Sequence, residues 1–126
     1  MTVRRLTLAA VALAALGLGA SAQSGYPSKP ITLIVPIPAG TGMDTLARLY
    51  AEPLGQALGK PVVIENKPGA ALMLGTAAVA SAAPDGHTIG ISTATPMAAY
   101  HVLYKKISYD PTKDFAPIYL YVKSPF

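Results

Sequence analysis

Three short runs of small, mostly neutral residues have the composition to bind an anion. The runs are Pro36–Gly42, Asn66–Ala71 and Thr93–Pro96, and Lys67 is the only charged residue among them. The first run lies between an apolar segment and an amphipathic segment, which predicts a strand, a loop and a helix. A helix start presents unpaired backbone N–H groups and the positive end of the helix dipole. Because main-chain amides can satisfy the lone pairs of a buried carboxylate, the runs predict a site for an anionic small molecule.

The glycines of the first run and the aspartate just after it also have a simpler explanation. Gly40 and Gly42 are equally compatible with a tight turn that binds nothing. Asp44 falls at the start of the predicted helix, where an aspartate commonly caps backbone N–H groups. For Asp44 this structural role is favoured over a ligand contact.

The sequence matches a nucleotide-binding fingerprint only in part. Gly40-Thr41-Gly42 follows a strand, and Glu65 closes the next one, as in a dinucleotide-binding fingerprint. Thr45 stands where the third glycine is required, and the sequence has no phosphate-binding lysine motif. The sequence therefore predicts no cofactor.

Residues suited to catalysis are scattered along the chain. His87 and His101 lack metal-ligand spacing, and they are expected to be surface or turn residues. No serine lies in a nucleophile elbow, and the carboxylates stand singly, so no acid, base and nucleophile come together. We predict neither a catalytic residue nor a metal site, although an exported α/β enzyme stays as a rival hypothesis.

The elements that position the three runs alternate between strand and helix. Strands are predicted at Ile31–Val35, 61–65, 87–92 and 116–123, and helices at 43–58, 71–83 and 97–104. Pro53 is expected to kink the first helix, and Gly59 to end it. This order predicts an α/β fold with a doubly wound, mostly parallel sheet, in which ligands bind at the carboxyl ends of the strands.

The amino terminus has the three parts of a secretory signal. Arg4 and Arg5 precede an apolar run from Leu6 to Ala20, and Ala20-Ser21-Ala22 is a suitable cleavage site. We predict a signal peptide over residues 1–22, cleavage after Ala22 and a periplasmic product; an uncleaved anchor is the alternative. Without the two arginines the net charge of +4 falls to +2, and the remaining basic residues are dispersed. This distribution excludes a nucleic-acid partner.

Four segments together resemble a known family of transport receptors. They are YPSKPITLIVPIPAGTGMD, LGKPVVIENKPGA, APDGHTIGI and LYKKISYDPTKDFAPI. In this order they resemble the Bug family, the TctC-like periplasmic solute-binding receptors of tripartite tricarboxylate transport systems. The resemblance implies part of a type II periplasmic-binding-protein fold, a small organic carboxylate as ligand and the membrane subunits of the transporter as partners.

The resemblance also implies which residues contact the ligand. Taken with the three runs, it predicts a site built from small residues and one aspartate: Pro38, Ala39, Gly40, Thr41, Gly42, Asp44, Ala70, Ala71, Thr93, Ala94 and Thr95. The second loop of the family is commonly Gly-Ala-Gly-Gly-Asn-Ile-Gly. In this chain Ala71, Leu72 and Met73 replace two of those glycines and the asparagine.

Members of that family are more than twice as long as this chain. We therefore expect an incomplete first domain over residues 23–115 and a crossover strand over residues 116–126 that leads toward a second domain. The favoured hypothesis is a receptor that captures a carboxylate and catalyses nothing. A remnant that binds no ligand is the first alternative.

Overall fold

The computed structural model describes residues 25–123, so the predicted signal peptide lies outside the described residues. The described part of the chain forms the following elements in order: β1 (Ile31–Val35), α1 (Gly42–Leu58), β2 (Val62–Asn66), a 3-10 turn (Ala70–Leu72), α2 (Met73–Ala80), β3 (Thr88–Gly90), a π-helical turn (Thr95–Ala99) and α3 (Tyr100–Leu103). Between residues 25 and 123, no helix combines the length and the apolar character needed to cross a bilayer.

The three strands form a parallel sheet in the order β2-β1-β3. The central strand β1 aligns Leu33 with Ile64 on one side and with Ile89 on the other. Its apolar residues are almost completely buried, with Ile31 exposed by 1% and Val35 by 0%. This confirms the prediction that a continuous apolar run forms a strand covered on both faces.

The two long helices pack on opposite faces of this sheet. Leu33 and Val35 form the core with Ala47 of α1. On the other face, Val79 of α2 lies against Gly90, which is the register partner of Ile34. The chain moves in opposite directions from β1 to β2 and from β2 to β3, and right-handed crossovers then require the helices to lie on opposite faces. The prediction of a doubly wound sheet is confirmed.

Several predicted boundaries move. Helix α1 starts one residue earlier than predicted, at Gly42, continues through Pro53 and ends at Leu58; Gly59, with a φ of 69°, is the predicted left-handed C-cap. Helix α2 starts at Met73 because the residues before it form a separate turn. The last predicted helix divides into a π-helical turn and the short helix α3.

The fourth strand, predicted over residues 116–123, is not formed. These residues belong to neither helix nor strand, and Ile118 and Tyr119 are each 80% exposed. A strand exists only where a neighbour completes its hydrogen bonds, and no strand between residues 25 and 123 lies beside this segment. High β-propensity alone therefore misled the prediction. The proposed division of the chain at residue 115 stays a prediction.

The segment that precedes β1 is attached to the turn that precedes β3. The Tyr26 hydroxyl donates to the Gly86 carbonyl oxygen at 2.7 Å, and the Ser28 amide donates to His87 Nε2 at 3.1 Å. Lys29 pairs with Asp85 at 2.9 Å. His87 is only 8% exposed and lies in the bend before β3, so of the two expected settings, surface or turn, it occupies the turn. It packs edge-on against Tyr26 at the amino end of β3, which is the edge of the sheet away from the predicted site.

Candidate ligand-binding site

The candidate site lies where β1 and β3 end side by side. The two strands are parallel neighbours, so the loops that follow Val35 and Gly90 emerge at the same edge of the sheet. The loop after β1 leads to α1 on one face of the sheet. Helix α2, which precedes β3, covers the opposite face. Such a change of direction opens a crevice at the carboxyl ends of the strands, where doubly wound sheets bind ligands.

Gly75 lies against two of the predicted loops and near the end of β3. A Cβ atom at this position would lie 2.7 Å from Pro36 Cβ and 2.9 Å from the Lys67 carbonyl oxygen. Gly75 also lines a cavity of about 110 Å³ together with Ser92. The first turn of α2 therefore lies directly against the loops that follow β1 and β2, and it also borders the end of β3. The convergence of all three loops at one ligand site stays a prediction.

The loop after β1 leaves backbone donors available at the start of α1. Pro38, Ala39, Gly40 and Gly42 are exposed, and Thr41 is half-buried. Thr41 is the N-cap residue, but its side chain donates to the Pro38 carbonyl oxygen and makes no capping hydrogen bond. In the described residues the amides of Gly42 and Met43 thus have no side-chain acceptor. They are the first-turn donors that an anion at this helix start would use.

Asp44 is buried and hydrogen-bonded within the domain. Its carboxylate is 2% exposed and accepts the Gly40 amide at 2.8 Å. Arg48 donates to both carboxylate oxygens, at 2.9 and 3.1 Å, and the Asn66 side-chain amide donates at 2.9 Å. The Arg48 hydrogen bonds, followed by those of Gly40 and Asn66, hold the pKa of Asp44 well below its usual range. These bonds occupy both carboxylate oxygens, as the capping explanation expects, and a ligand contact at Asp44 stays a prediction.

Asn66 extends this network to the loop backbone. Its side-chain amide also donates to the Ile37 carbonyl oxygen at 3.0 Å. One buried carboxylate therefore joins the loop after β1, the first turns of α1 and the end of β2. Sequence reasoning overlooked Arg48 and Asn66, although the i, i+4 spacing of Asp44 and Arg48 indicated their pairing.

The loop after β2 has an unusual backbone. Ala70, Ala71 and Leu72 all have positive φ, at 46°, 52° and 77°, in the left-handed region that L-residues avoid. Ala71 and Leu72 occupy the positions at which the resembled receptors commonly carry glycine. Ala70 and Ala71 are exposed, as a ligand contact requires. The turn therefore has a backbone conformation suited to glycine, although alanine and leucine occupy these positions in this chain.

The loop after β3 offers side-chain hydroxyls. Ser92 Oγ and Thr93 Oγ1 are both buried, and neither has a hydrogen-bond partner among the described residues. The Tyr121 hydroxyl lies 3.4 Å from the Ser92 carbonyl oxygen. Ala94 and Thr95 are exposed at the start of the π-helical turn. The sequence predicted Thr93 as a site residue but not Ser92 or Tyr121. The contact between Tyr121 and Ser92 joins residues far apart in the chain, so no local pattern indicates it.

The part of the chain between residues 25 and 123 contains no group of acidic and histidine residues arranged to hold a metal ion. His101 is exposed on α3, and His87 lies at the opposite edge of the sheet. The polar groups that the three loops offer at this edge of the sheet are backbone amides and side-chain hydroxyls.

Comparison with known proteins agrees with this arrangement. Residues 46–126 match the family described as the tripartite tricarboxylate transporter family receptor, TctC. The chain belongs to this family. Protein BugT of Bordetella pertussis is 37% identical over 117 residues, which cover 91% of this chain and 36% of BugT.

Solved structures support the same assignment for this TctC-family chain. Periplasmic binding protein BugD superimposes with a TM-score of 0.70 at 42% identity, covering 74% of this chain and 31% of BugD. MatC from Rhodopseudomonas palustris, solved with bound malate, gives a TM-score of 0.69 at 40% identity over 73% of this chain and 31% of MatC. The α/β domain is therefore part of a periplasmic-binding-protein fold. The chain spans about a third of the length of the relatives that it matches.

Proposed function

We propose that this chain provides the β1/β3 wall of a receptor site for a small organic carboxylate. The observation that carries the proposal is that two sets of donors follow neighbouring parallel strands: the first-turn amides of α1 after β1, and the unpartnered Ser92 and Thr93 hydroxyls after β3. The loops themselves contain no carboxylate facing this crevice, because Asp44 is turned inward and bonded. A negatively charged ligand would thus meet donors without meeting a like charge.

Family membership supports the choice of ligand. MatC, a structural neighbour at 40% identity, holds malate. Malate carries carboxylates on a short chain with a hydroxyl group, and the amides of Gly42 and Met43 and the Thr93 hydroxyl are suitable partners for such groups. In this proposal Pro38–Thr41 and Ala70–Ala71 shape the rim, and Ala94 and Thr95 close its side.

The proposal includes export and a membrane partner. The signal-like sequence over residues 1–22 would direct the chain to the periplasm and be removed after Ala22. The receptor would then deliver its ligand to the membrane subunits of a tripartite tricarboxylate transporter. Amino-terminal sequencing of the exported protein tests the cleavage site, and Gln23 is the expected first residue.

Ligand binding is tested by calorimetry and thermal shift of the mature chain. The panel contains malate and other di- and tricarboxylates, with uncharged diols of the same length as controls. We expect heat and a raised melting temperature with at least one acid and with none of the diols. A folded chain that responds to no acid contradicts the proposal and supports a remnant that does not bind.

One substitution isolates a single backbone donor. Gly42 is the first residue of α1, where proline is well accepted, and Thr41 has the extended backbone (φ −83°, ψ 167°) that a following proline requires. Gly42→Pro therefore removes one N–H and keeps the helix. Because a hydrogen bond to a charged group is worth about 1.5–3 kcal/mol, the Kd for the acid should rise about 10- to 100-fold.

Gly42→Ala is the matched control, because it keeps the amide and its Cβ meets no atom within 4 Å. Its affinity should stay close to that of the unmodified chain. Equal affinities for Gly42→Pro and Gly42→Ala would show that this amide does not contact the ligand.

A further inference from the structure

A buried histidine lies at the edge of the sheet opposite the candidate ligand site. His87 is 8% exposed and occupies the bend before β3. Its carbonyl oxygen accepts the Thr32 amide of β1 at 2.8 Å, and its own amide donates to Asp85 Oδ1 at 2.9 Å. The backbone of His87 is therefore held between β1 and the turn before β3, and its ring contacts the segment that precedes β1.

The hydrogen bond to this ring defines its protonation state. The Ser28 amide, which can only donate, lies 3.1 Å from His87 Nε2. Nε2 must then carry a free lone pair, so the proton of the neutral ring lies on Nδ1. Nδ1 is buried, lies 3.4 Å from Asp85 Oδ1 and makes no hydrogen bond among the described residues. The neutral ring thus pairs with Ser28 through one nitrogen and faces a carboxylate with the other.

We propose that His87 is a pH-sensitive switch, which holds the entry segment (residues 26–29) to the turn before β3 only while its ring is neutral. Histidine is the side chain whose charge ordinarily changes between about pH 5 and 8. A proton on Nε2 would point at the Ser28 amide proton, and that hydrogen bond would break. The Ser28 hydroxyl oxygen, 3.4 Å from Nε2, is the acceptor within reach. Protonation therefore replaces the amide of Ser28 by its hydroxyl and frees the backbone at this point.

The other charges around the switch are balanced and constant over this pH range. Asp85 stays ionised, since the His87 amide and then Lys29 lower its pKa to about 2. Lys29 pairs with the same carboxylate at 2.9 Å, so the ion pair adds no net charge beside the ring. Lys113 and Asp114, which border the turn before β3, also carry opposite charges. The proton on His87 is then the change in charge that operates the switch.

Two further contacts keep the opening local. The Tyr26 hydroxyl donates to the Gly86 carbonyl oxygen at 2.7 Å, and the Lys29–Asp85 ion pair remains. A tyrosine, a lysine and this aspartate do not titrate between about pH 5 and 8. The entry segment therefore loosens around Ser28 while its two ends stay attached, and the rest of the domain stays folded.

Nitrogen NMR of the unmodified mature chain tests the neutral state. At pH 8 the His87 ring should carry its proton on Nδ1 and present a deprotonated Nε2. The exposed ring of His101 provides a reference in the same spectrum. A His87 ring that carries its proton on Nε2 at pH 8 overturns the proposal, because such a ring cannot accept the Ser28 amide.

Amide hydrogen exchange of the same chain tests the opening. After correction for the intrinsic effect of pH on exchange, protection of the Ser28 amide should fall about tenfold from pH 8 to pH 5. The Lys67 amide is the reference, because it donates to the Val35 carbonyl oxygen at 2.8 Å and has no titrating partner. Its protection should change little. Protection of Ser28 that is the same at both pH values overturns the switch.

Two matched variants assign the effect to one ring. His87→Gln keeps a side-chain acceptor that does not titrate, so the Ser28 amide should stay protected from pH 8 to pH 5. His101→Gln changes an exposed histidine on α3 and should respond to pH as the unmodified chain does. A loss of Ser28 protection that is equal in His87→Gln and in His101→Gln would show that His87 does not operate the switch.

Discussion

Arg48 Nε lies 2.9 Å from Asp44 Oδ2, and Arg48 Nη2 lies 3.1 Å from Asp44 Oδ1. This two-point contact joins the second turn of α1 to a carboxylate that is 2% exposed, while the Arg48 side chain is 55% exposed. The buried partner therefore depends on the arginine for compensation of its charge. The Gly40 and Asn66 bonds to the same carboxylate fix the loop that borders the candidate site.

Arg48→Met should destabilise the domain, because it keeps an apolar stem and removes both hydrogen bonds to the buried Asp44 carboxylate. Urea unfolding followed by circular dichroism measures the change. Lys105→Met, on an exposed lysine, is the matched control and should change the midpoint little. Equal midpoints for the two variants would show that the Asp44–Arg48 contact contributes nothing to stability.

Leu72→Gly should stabilise the domain by about 1 kcal/mol, because Leu72 has a φ of 77° and glycine removes the left-handed penalty. Ala71→Gly should act in the same direction. Ala77→Gly, in the interior of α2, is the opposite control and should cost about 1 kcal/mol. Thermal unfolding should give a higher melting temperature for Leu72→Gly and Ala71→Gly and a lower one for Ala77→Gly. A lower melting temperature for Leu72→Gly would be inconsistent with a left-handed turn.

Gly75→Ala should destabilise the domain by about 2 kcal/mol, as is usual for an overpacked site. The added Cβ would lie 2.7 Å from Pro36 Cβ and 2.8 Å from Pro36 Cα, so the start of α2 must move away from the loop after β1. The same variant should weaken binding of the acid identified by calorimetry. Gly42→Ala, which has open space around its Cβ, is the control for stability.

Stability should fall on acidification between about pH 4 and about pH 2. The His87 amide and then Lys29 lower the pKa of Asp85 to about 2, whereas an unfolded aspartate titrates near 3.9. The unfolded chain then binds more protons in this range, so stability is present above the unfolded pKa and is lost as pH falls through the folded one. Asp85→Asn should reduce this pH dependence. The melting temperatures of the unmodified chain and of Asp85→Asn from pH 5 to pH 2 provide the measurement. Parallel curves for the two proteins would contradict the assignment of this pH dependence to Asp85.

The sequence by itself determined the elements that depend on local pattern. The apolar run Ile31–Val35, the stripe of α1 and the glycine at position 59 each specify one conformation through burial, periodicity or positive φ. Their alternation also predicted a parallel sheet with its loops at one edge. The role of Asp44 stayed open in the sequence, because a capping aspartate and a ligand-binding aspartate have the same position in a helix.

Only the tertiary structure decided which polar groups are already paired. Asn66 and Tyr121 contact residues more than twenty positions away, Asp44 and Ser92 respectively, and no local pattern indicates such contacts. The same limit explains the wrong fourth strand, since residues 116–123 have strand composition but no neighbouring strand in the described sheet. Strand propensity belongs to a segment, whereas the hydrogen bonds that make a strand belong to two segments brought together by the fold.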